Sequence, residues 1–328
     1  MPMEKGATVV IETSGGENFQ LHESDDATYT AAGLSVNKTS TYKLHITTLD
    51  GNEYRSDPVR IYSTPPIDSI YFTIAGSGVD IEFRVSSHDE DPDATGYYAY
   101  DGIETFEYHA STYSGYKLIN HRAVERTPAE QVYTCWRDLV VGPSVASTHH
   151  LSKNIVSGQK VQKLFKDDIR ISVRYSLLLR QRAISEAEYL YLNQLIKSTE
   201  QLGTLYAATP GVVPSNVHPI TNPKEYVLGY FTGQEQKELR YFLERKDLPK
   251  SMAIFPRSSN CQQEQTCPTT IGPDYPNRCL KLEDLGNGAV ITSVHNLPSG
   301  DPLYYNYVSL DCGDCRSRGG NTTKPPFW

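Results

Sequence analysis

The chain has no long hydrophobic run. No stretch of about 18 apolar residues occurs in it, whereas a transmembrane helix needs about 20 in succession. Residues 1–7 also lack the apolar core of a signal peptide. We therefore expect neither a membrane span nor a signal sequence within this chain.

Positive charge is in short supply as well. The sequence has 31 lysines and arginines against 39 aspartates and glutamates, which gives a formal net charge of −8. Its pI is about 5.6. Nucleic-acid-binding domains are basic, with the charge clustered on one face. The composition therefore argues against nucleic acid as a partner.

Sequence signatures of catalysis are missing too. There is no Gly-x-Ser-x-Gly nucleophile motif and no His-Glu-x-x-His zinc motif. Gly76-Ser77-Gly78 lacks the third glycine of a phosphate-binding loop, and His149 and His150 belong to no motif. We therefore predict neither enzymatic activity nor a cofactor. The paired carboxylates of a glycoside hydrolase need no local motif, so a secreted hydrolase of glycans or peptides remains an alternative.

Among the aromatic residues, tryptophan and phenylalanine are scarce and tyrosine is abundant. The chain has 23 Tyr, 9 Phe and 2 Trp. Tyrosine suits half-buried strand faces. It also suits binding surfaces, because its ring is apolar and its hydroxyl forms hydrogen bonds. Buried tyrosines would favour a structural or adhesive module, and tyrosines clustered on the surface would favour a binding role.

Cysteine is infrequent but unevenly placed. The six cysteines are Cys135, Cys261, Cys267, Cys279, Cys312 and Cys315. An even number, with all but one in the C-terminal region, predicts disulfides formed in an oxidising compartment and hence an exported protein. The connectivity stays open at this point.

Cys312 and Cys315 have the Cys-x-x-Cys spacing of half a zinc site. The other half would be a second close pair, and Cys261, Cys267 and Cys279 do not supply one. A redox pair would open a helix, whereas Arg-Ser-Arg-Gly-Gly follows here. We therefore expect structural disulfides that link Cys312 and Cys315 to the segment 261–279.

One acidic turn is a weak candidate for a metal site. The sequence His-Asp-Glu-Asp-Pro-Asp places Asp89, Asp91 and Asp93 close together, and calcium prefers such oxygen ligands. The spacing does not match an EF-hand loop. A solvated acidic turn is the favoured interpretation.

The N-terminal part reads as a β module. Residues 7–62 form short alternating stretches separated by polar turns, with a hairpin signal at Asp50-Gly51. They predict an immunoglobulin-like β-sandwich over residues 1–63, with its first strand upstream of residue 1. The stiff Thr64-Pro65-Pro66 segment marks the boundary to a larger β-rich domain over residues 64–328. The predicted fold class is mainly β.

Two strands of the larger domain are predicted at specific positions. Ile169–Arg180 alternates, with Arg170, Arg174 and Arg180 on one face. These arginines either bind an anion or pair with neighbouring carboxylates. Val227–Thr232 has strand character as well.

One main α-helix is predicted over about residues 185–203. Ser185 and Glu188 have the spacing of a capping box, and Gly203 supplies the exit. Apolar residues at helical spacing indicate a face that packs on the core: Tyr189, Leu192, Leu195 and Ile196.

The last residues differ from an ordinary polar tail. Cys312 and Cys315 are followed by Gly319-Gly320, and the sequence closes with Phe327 and Trp328. Two large apolar side chains at the far end predict that this segment docks back onto the domain. We call residues 312–328 the C-terminal clasp.

Several stretches taken in order resemble one family. They are His88-Asp89 with Tyr97–Tyr100, Tyr133–Trp136, Ile171–Ser176, Leu228–Phe231 and Cys312–Trp328. The chain is similar to the domain of unknown function 4249 family of Bacteroidota outer-membrane lipoproteins, and the C-terminal stretch carries the most specific part of the likeness.

This resemblance implies a cell-surface location through a lipid anchor. The anchor is expected in the parent protein, since the signal and the anchor cysteine are absent from this chain. It also implies a non-enzymatic accessory role. The expected partners are a nutrient ligand, of unknown identity, and a TonB-dependent outer-membrane transporter.

Overall fold

Most of the chain is extended and paired into sheets. The structure, a computed structural model, describes residues 4–24, 27–75, 80–91, 94–120, 122–201, 215–250, 252, 261–267, 280–281, 288–300 and 302–328. The described residues contain 20 strands in five sheets, and nearly all neighbouring strands run antiparallel. The predicted mainly β fold class is therefore confirmed.

The strands lie in this order along the chain: β1 (Thr8–Thr13), β2 (Asn18–Glu23), β3 (Tyr29–Thr30), β4 (Thr41–Thr47), β5 (Glu53–Ser56), β6 (Val59–Arg60), β7 (Ser69–Ala75), β8 (Asp80–His88), β9 (Tyr97–His109), β10 (Tyr116–Ile119), β11 (Arg122–Glu125), β12 (Thr134–Ser147), β13 (Ile155–Phe165), β14 (Arg174–Ala183), β15 (Val217–Pro219), β16 (Gln236–Glu244), β17 (Glu264–Cys267), β18 (Leu280–Lys281), β19 (Ala289–Asn296) and β20 (Pro302–Ser309). The α-helices are α1 (Glu186–Gln201) and α2 (Leu310–Gly313).

The N-terminal strands form one sheet with the order β15-β5-β4-β1-β2-β3, and β6 pairs with β4. The Asp50-Gly51 turn joins β4 to β5, with Gly51 at a positive φ of 82°. Sequence reasoning did not anticipate β15, in which Val217 pairs with Ser56. The immunoglobulin-like sandwich and the domain boundary at residue 63 stay predictions.

The centre of the molecule is a sandwich of two sheets. Sheet β12-β9-β14-β16 and sheet β13-β8-β7 share one apolar core. Phe83 of β8 stacks on Tyr175 of β14, with 4.9 Å between the ring centroids. Tyr98, Tyr100 and Tyr108 of β9 are also fully buried in this core. Many of the tyrosines are therefore core residues.

A carboxylate lies inside this sandwich. Glu104 is 1% exposed, and Arg170 donates to its Oε1 at 2.7 Å. Its Oε2 accepts from the Tyr175 hydroxyl at 2.8 Å and from the Gln162 amide at 2.9 Å. Burial, followed by the charge of Glu104, raises the pKa of the Tyr175 hydroxyl. The buried charge thus has both an ion-pair partner and neutral donors.

The predicted strand over Ile169–Arg180 was wrong in its first part. Ile169–Ile171 is a turn of 3₁₀ helix, and β14 begins only at Arg174. Asp168 caps this turn by accepting from the Arg170 backbone N–H at 2.9 Å. The turn directs Arg170 to Glu104 instead of placing it on the outer face of the sheet.

The two remaining arginines of that stretch lie beside carboxylates. Arg174 is 3.9 Å from Glu244. Arg180 is 3.7 Å from Asp101 and 3.5 Å from Glu238. The structure thus places carboxylates around all three arginines.

Helix α1 is close to its predicted bounds. The Ser185 hydroxyl accepts from the Glu188 backbone N–H at 3.1 Å, which is one half of a capping box. The Glu188 carboxylate accepts from the Thr232 hydroxyl at 2.7 Å. Tyr189 and Leu192 pack on Ile184 and its neighbours. Tyr189, Leu192 and Ile196 are partly buried, whereas Leu195 of the predicted core face is 38% exposed.

The predicted strand Val227–Thr232 was wrong. These residues form an irregular segment, and the side chain of Asn216 replaces a neighbouring strand. Its amide donates to the Phe231 carbonyl at 2.7 Å, and its oxygen accepts from the Phe231 N–H at 2.8 Å. A side chain thus satisfies backbone groups that a sheet would otherwise pair.

The C-terminal sheet has the order β18-β17-β20-β19. Its strands β19 and β20 pair antiparallel. The hairpin β10–β11 packs against this sheet through Tyr116 and Leu118, which contact the cluster of Ile291, Tyr305 and Tyr307. Within the part of the chain that the structure describes, no helix has the length and apolar character needed to cross a membrane.

The buried carboxylate leads to a stability prediction. Glu104→Ala would leave the Tyr175 hydroxyl and the Gln162 amide without their acceptor, and Arg170 with Asp168 alone. We expect it to lower the free energy of unfolding by about 3 kcal/mol, measured by urea denaturation. The control is Glu238→Ala on the surface, which should cost at most about 1 kcal/mol. Equal losses in the two variants would contradict a special role for the buried carboxylate.

Candidate functional site

Two disulfides anchor the C-terminal clasp. Cys135 is bonded to Cys315, which lies 180 residues later, and Cys261 is bonded to Cys312. No described cysteine is free. Cys267 closes β17, and the predicted partner segment otherwise contains Cys279, which lies outside the described residues.

The expectation that both Cys312 and Cys315 link to segment 261–279 was wrong for Cys315. Cys312 lies within helix α2 and Cys315 opens the 3₁₀ turn that follows it, so the two cysteines meet different neighbours. The Cys315 N–H donates to the Val132 carbonyl at 2.9 Å, and the Cys312 carbonyl accepts from the Thr112 N–H at 2.9 Å. Cys315 therefore lies at the start of β12, where Cys135 is within bonding reach.

The glycine pair of the clasp permits a close backbone approach. Gly319 has a φ of 80° and closes the 3₁₀ turn Cys315–Arg318. A Cβ on Gly320 would collide with the Tyr108 hydroxyl and would lie 3.0 Å from the Trp136 carbonyl. Directly beyond it, Asn321 pairs with Trp136 through two backbone hydrogen bonds of 2.8 and 2.9 Å.

The aromatic end of the clasp lies against the outer face of sheet β12-β9-β14-β16. The guanidinium of Arg240 is 3.6 Å from the centroid of the Phe327 ring. The guanidinium of Arg174 is 5.1 Å from the centroid of the Trp328 ring. Such cation–π contacts contribute about 0.5–1 kcal/mol each at exposed sites. The Trp328 indole N–H also donates to Glu107 at 2.7 Å.

Glu107 is held in its charged form by this arrangement. Its hydrogen bond with His109 is the main cause that lowers its pKa, and the Trp328 indole and the charge of Arg174 act in the same direction. Burial opposes them. Docking of the clasp and ionisation of Glu107 are therefore linked.

A groove with a volume of about 350 Å³ lies beside the clasp. We call it the tyrosine groove. All its lining residues are uncharged near neutral pH: Tyr113, Pro128, Ala129, Gln131, Tyr133, Thr134, Trp136 and Thr322. Thr322 belongs to the clasp, so the C-terminal segment forms part of the wall.

Aromatic rings form one side of the tyrosine groove. Tyr133 stacks on His109 with 4.6 Å between the ring centroids. Tyr113 meets Tyr133 edge to face at 5.5 Å. Tyr113 is 57% exposed, so much of its ring remains available to solvent or to a ligand.

Hydrogen bonds hold the loop that carries Tyr113. The Thr112 N–H donates to the Cys312 carbonyl, and Arg318 of the clasp donates to the Ser111 hydroxyl at 3.0 Å. The fully buried Ser114 donates to the Ile291 carbonyl at 2.7 Å. The position of Tyr113 thus depends on the clasp and on β19.

The opposite side of the groove is a 3₁₀ turn, Pro128–Glu130. The Glu130 carboxylate accepts from the Thr127 N–H at 3.0 Å and forms an ion pair with Lys117. The hydrogen bond from Lys117, followed by the one from Thr127, lowers the pKa of Glu130 to about 2. These two contacts therefore hold the turn in place near neutral pH, so this wall of the groove is formed before any ligand binds.

Two buried polar atoms of the groove residues have no partner. Trp136 is nine-tenths buried, and its indole Nε1 forms no hydrogen bond with any described residue; the same holds for the side-chain oxygen of Gln131. Buried polar groups nearly always have a hydrogen-bond partner. Each of the two atoms has almost no accessible surface of its own, so a partner from outside reaches it only when a neighbouring side chain shifts.

The structure describes the acidic turn only in part. Asp89 accepts from the Tyr98 hydroxyl at 3.3 Å and from the Asp91 N–H at 3.0 Å. Asp93 lies outside the described residues. Among the residues that are described, no group of three or more potential ligands is placed to hold a metal ion. Asp89 and Asp91 line an open groove of about 350 Å³ that also includes Lys153.

A third groove, of about 360 Å³, lies at the aromatic end of the clasp. It is mixed in charge, and its lining residues are Glu107, Val173, Arg174, Glu244, Arg245, Lys246, Lys324 and Trp328. Two of its cations lie beside Glu244: Lys246 at 2.7 Å and Arg174 at 3.9 Å.

Sequence reasoning did not identify the tyrosine groove. Trp136 was noticed only as a neighbour of Cys135, and neither Tyr113 nor Gln131 was proposed. The sole available signal was the excess of tyrosine, which does not distinguish exposed from buried positions. Three segments that are distant in sequence form this groove.

The close approach at Gly320 can be tested by adding one methyl group. Gly320→Ala would force the clasp away from Tyr108 and Trp136, so we expect a loss of about 2 kcal/mol in the free energy of unfolding. The control is Gly142→Ala, since no atom lies within 4 Å of a Cβ at that position. Urea denaturation should show a change within about 0.5 kcal/mol for the control. A neutral Gly320→Ala would refute the tight contact.

The link between the clasp and Glu107 gives a pH prediction. A lowered pKa in the folded state stabilises the protein above the ordinary pKa of a carboxyl group, and this contribution is lost as the pH falls. Trp328→Phe removes one donor but leaves His109. We expect the pKa of Glu107 to rise part of the way to its usual value in a carbon-13 NMR titration. Phe327→Leu, which keeps the indole N–H, should leave it unchanged.

Comparison with known proteins supplies a family. No curated protein matches the chain. A family model described as a domain of unknown function, DUF4249, matches residues 1–240. The matched range includes β1 to β16 up to residue 240 and every lining residue of the tyrosine groove except Thr322, and it ends before the clasp. Because the match covers well over half of the 328 residues, the chain belongs to the DUF4249 family.

Proposed function

We propose that this chain is a non-enzymatic binding protein that holds a small ligand in the tyrosine groove. One observation carries the proposal: a groove without charged lining residues has the exposed aromatic ring of Tyr113 in its wall. Binding sites commonly combine apolar and aromatic walls with a few convergent polar groups. The tyrosine groove has this composition.

The lining residues favour binding over catalysis. They comprise tyrosine, proline, alanine, glutamine, threonine and tryptophan, and include no carboxylate, histidine or cysteine. A general acid or base would have to come from such groups or from a perturbed tyrosine. The ligand would therefore leave the groove unchanged.

The proposed location is the cell surface. Disulfides form and persist in oxidising compartments, and two are present here. Together with the resemblance to Bacteroidota outer-membrane lipoproteins, this supports an exported protein whose parent carries a lipid anchor. In that setting the ligand would be a nutrient and the partner a TonB-dependent transporter.

A structural or adhesive module is the second candidate. Four tyrosines are fully buried, namely Tyr98, Tyr100, Tyr108 and Tyr175, which favours a scaffolding role for much of the tyrosine content. Tyr113 counts the other way, because it is exposed and borders the groove. No feature of the described residues specifically favours the hydrolase alternative.

The proposal is tested on the parent protein extracted from its native membranes with mild detergent. Native mass spectrometry should find a small-molecule adduct on the wild type. Tyr113→Ala should lose it because ring contact is removed. Tyr226→Ala is the control, since Tyr226 is 79% exposed and lies outside the groove. A TonB-dependent receptor should co-purify with the wild type.

Two results would count against the proposal. The first is a protein that carries no adduct. The second is an adduct that Tyr113→Ala and Tyr226→Ala retain equally, because the ligand would then be held elsewhere.

A further inference from the structure

The geometry points to a neutral saccharide as the ligand of the tyrosine groove. This inference rests on the proposed binding function and adds the chemical class of the ligand. It draws on the charge of the lining, on the exposed rings and on the two unpaired polar atoms.

The absence of charged residues from the lining excludes charged ligands. All eight lining residues are uncharged near neutral pH, and the nearby Glu130 is already paired with Lys117. A phosphate, carboxylate or ammonium group would lose hydration here without gaining a counter-charge. The other two grooves each carry several charged residues. The tyrosine groove therefore suits an uncharged molecule.

The rings supply the apolar half of the recognition. Tyr113 exposes a large part of its ring, and Tyr133 is fixed between Tyr113 and His109. Tyrosine offers a rigid apolar face at a low cost in conformational entropy. A pyranose ring has a flat face of C–H groups that packs on such an aromatic ring. Its rim carries hydroxyl groups that remain free for hydrogen bonds.

The unpaired atoms supply the polar half. The Trp136 indole can only donate, and the Gln131 side-chain oxygen can only accept. A hydroxyl group both donates and accepts, so the hydroxyls of one sugar can pair with both atoms once the side chains that cover them shift on binding. A proline-rich peptide, the other frequent ligand of aromatic grooves, offers carbonyls to Trp136 but has few N–H groups for Gln131.

The size of the groove agrees with a short saccharide. Its volume of about 350 Å³ lies at the lower end of the range of roughly 300–1,000 Å³ that is typical of small-molecule sites. Thr134 and Thr322 add two further hydroxyls to the lining. The groove therefore accommodates the end or a short stretch of a glycan.

The test is affinity electrophoresis of the full chain through gels that contain one polysaccharide each. The neutral set comprises a β-glucan, starch, mannan and galactan. The charged set comprises polygalacturonate and chondroitin sulfate, and a proline-rich peptide is measured by calorimetry. We expect retardation by at least one neutral polysaccharide and by neither charged one.

Variants separate the contributions of the groove residues. Tyr113→Ala should weaken binding up to about tenfold through lost ring contact. Trp136→Phe keeps a ring but removes the N–H, so it should weaken binding by about the same factor. Tyr226→Ala should bind like the wild type. Thermal unfolding identifies any variant that has lost its fold, and calorimetry with oligosaccharides gives the fold-change.

The outcomes distinguish this inference from the function on which it rests. Binding of a charged polysaccharide or of the proline-rich peptide in place of the neutral set would overturn the saccharide assignment. So would a native adduct whose mass is not built from hexose units. Either result leaves the proposed binding function intact. Absence of any adduct on the native protein removes that function and this inference together.

Discussion

The covalent bond between Cys135 and Cys315 is the constraint on which the C-terminal third of the molecule depends. It joins the first residues of β12 to a segment that lies 180 residues later, and both cysteines are fully buried. A link that closes so long a loop removes much conformational freedom from the unfolded chain. From this point the clasp runs past Tyr108, pairs with Trp136 and reaches the outer face of the central sheet.

The buried polar groups of the molecule are of two kinds. Glu104 is surrounded by three donors and has no unpaired atom among the described residues. It contributes to a unique arrangement of β9, β13 and β14, since a shift of any one of them would leave a charge without its partners. Trp136 and Gln131, in contrast, are close to the surface and keep unpaired atoms. The first network is complete among the described residues, whereas the second leaves one donor and one acceptor unpaired.

Features that depend on residues close together in the sequence could be predicted, and features that depend on residues far apart in the sequence could not. The capping box of Ser185 and Glu188 acts within one turn, so helix α1 could be placed to within about two residues of each end. The apolar alternation from Ile169 onward is equally local, but it predicted a strand where the chain first forms a turn. Arg170 pairs with Glu104, which lies 66 residues away, and local alternation does not reveal such a contact. The pairing of Cys315 was likewise settled by the neighbourhood of Val132. The candidate site was out of reach for the same reason, since Tyr113, Trp136 and Thr322 become neighbours only after folding.

The position of Cys315 near the end of the chain has a consequence for biogenesis. A protein that emerges from its translocation channel N-terminus first presents Cys135 long before Cys315 is available. During this interval the thiol of Cys135 can be captured by other cysteines, and Cys261 is the first that follows it in the sequence. The groove lacks the Thr322 wall and the support of the Tyr113 loop until the last residues have arrived. The groove therefore has all its walls only in chains in which Cys135 has paired with Cys315.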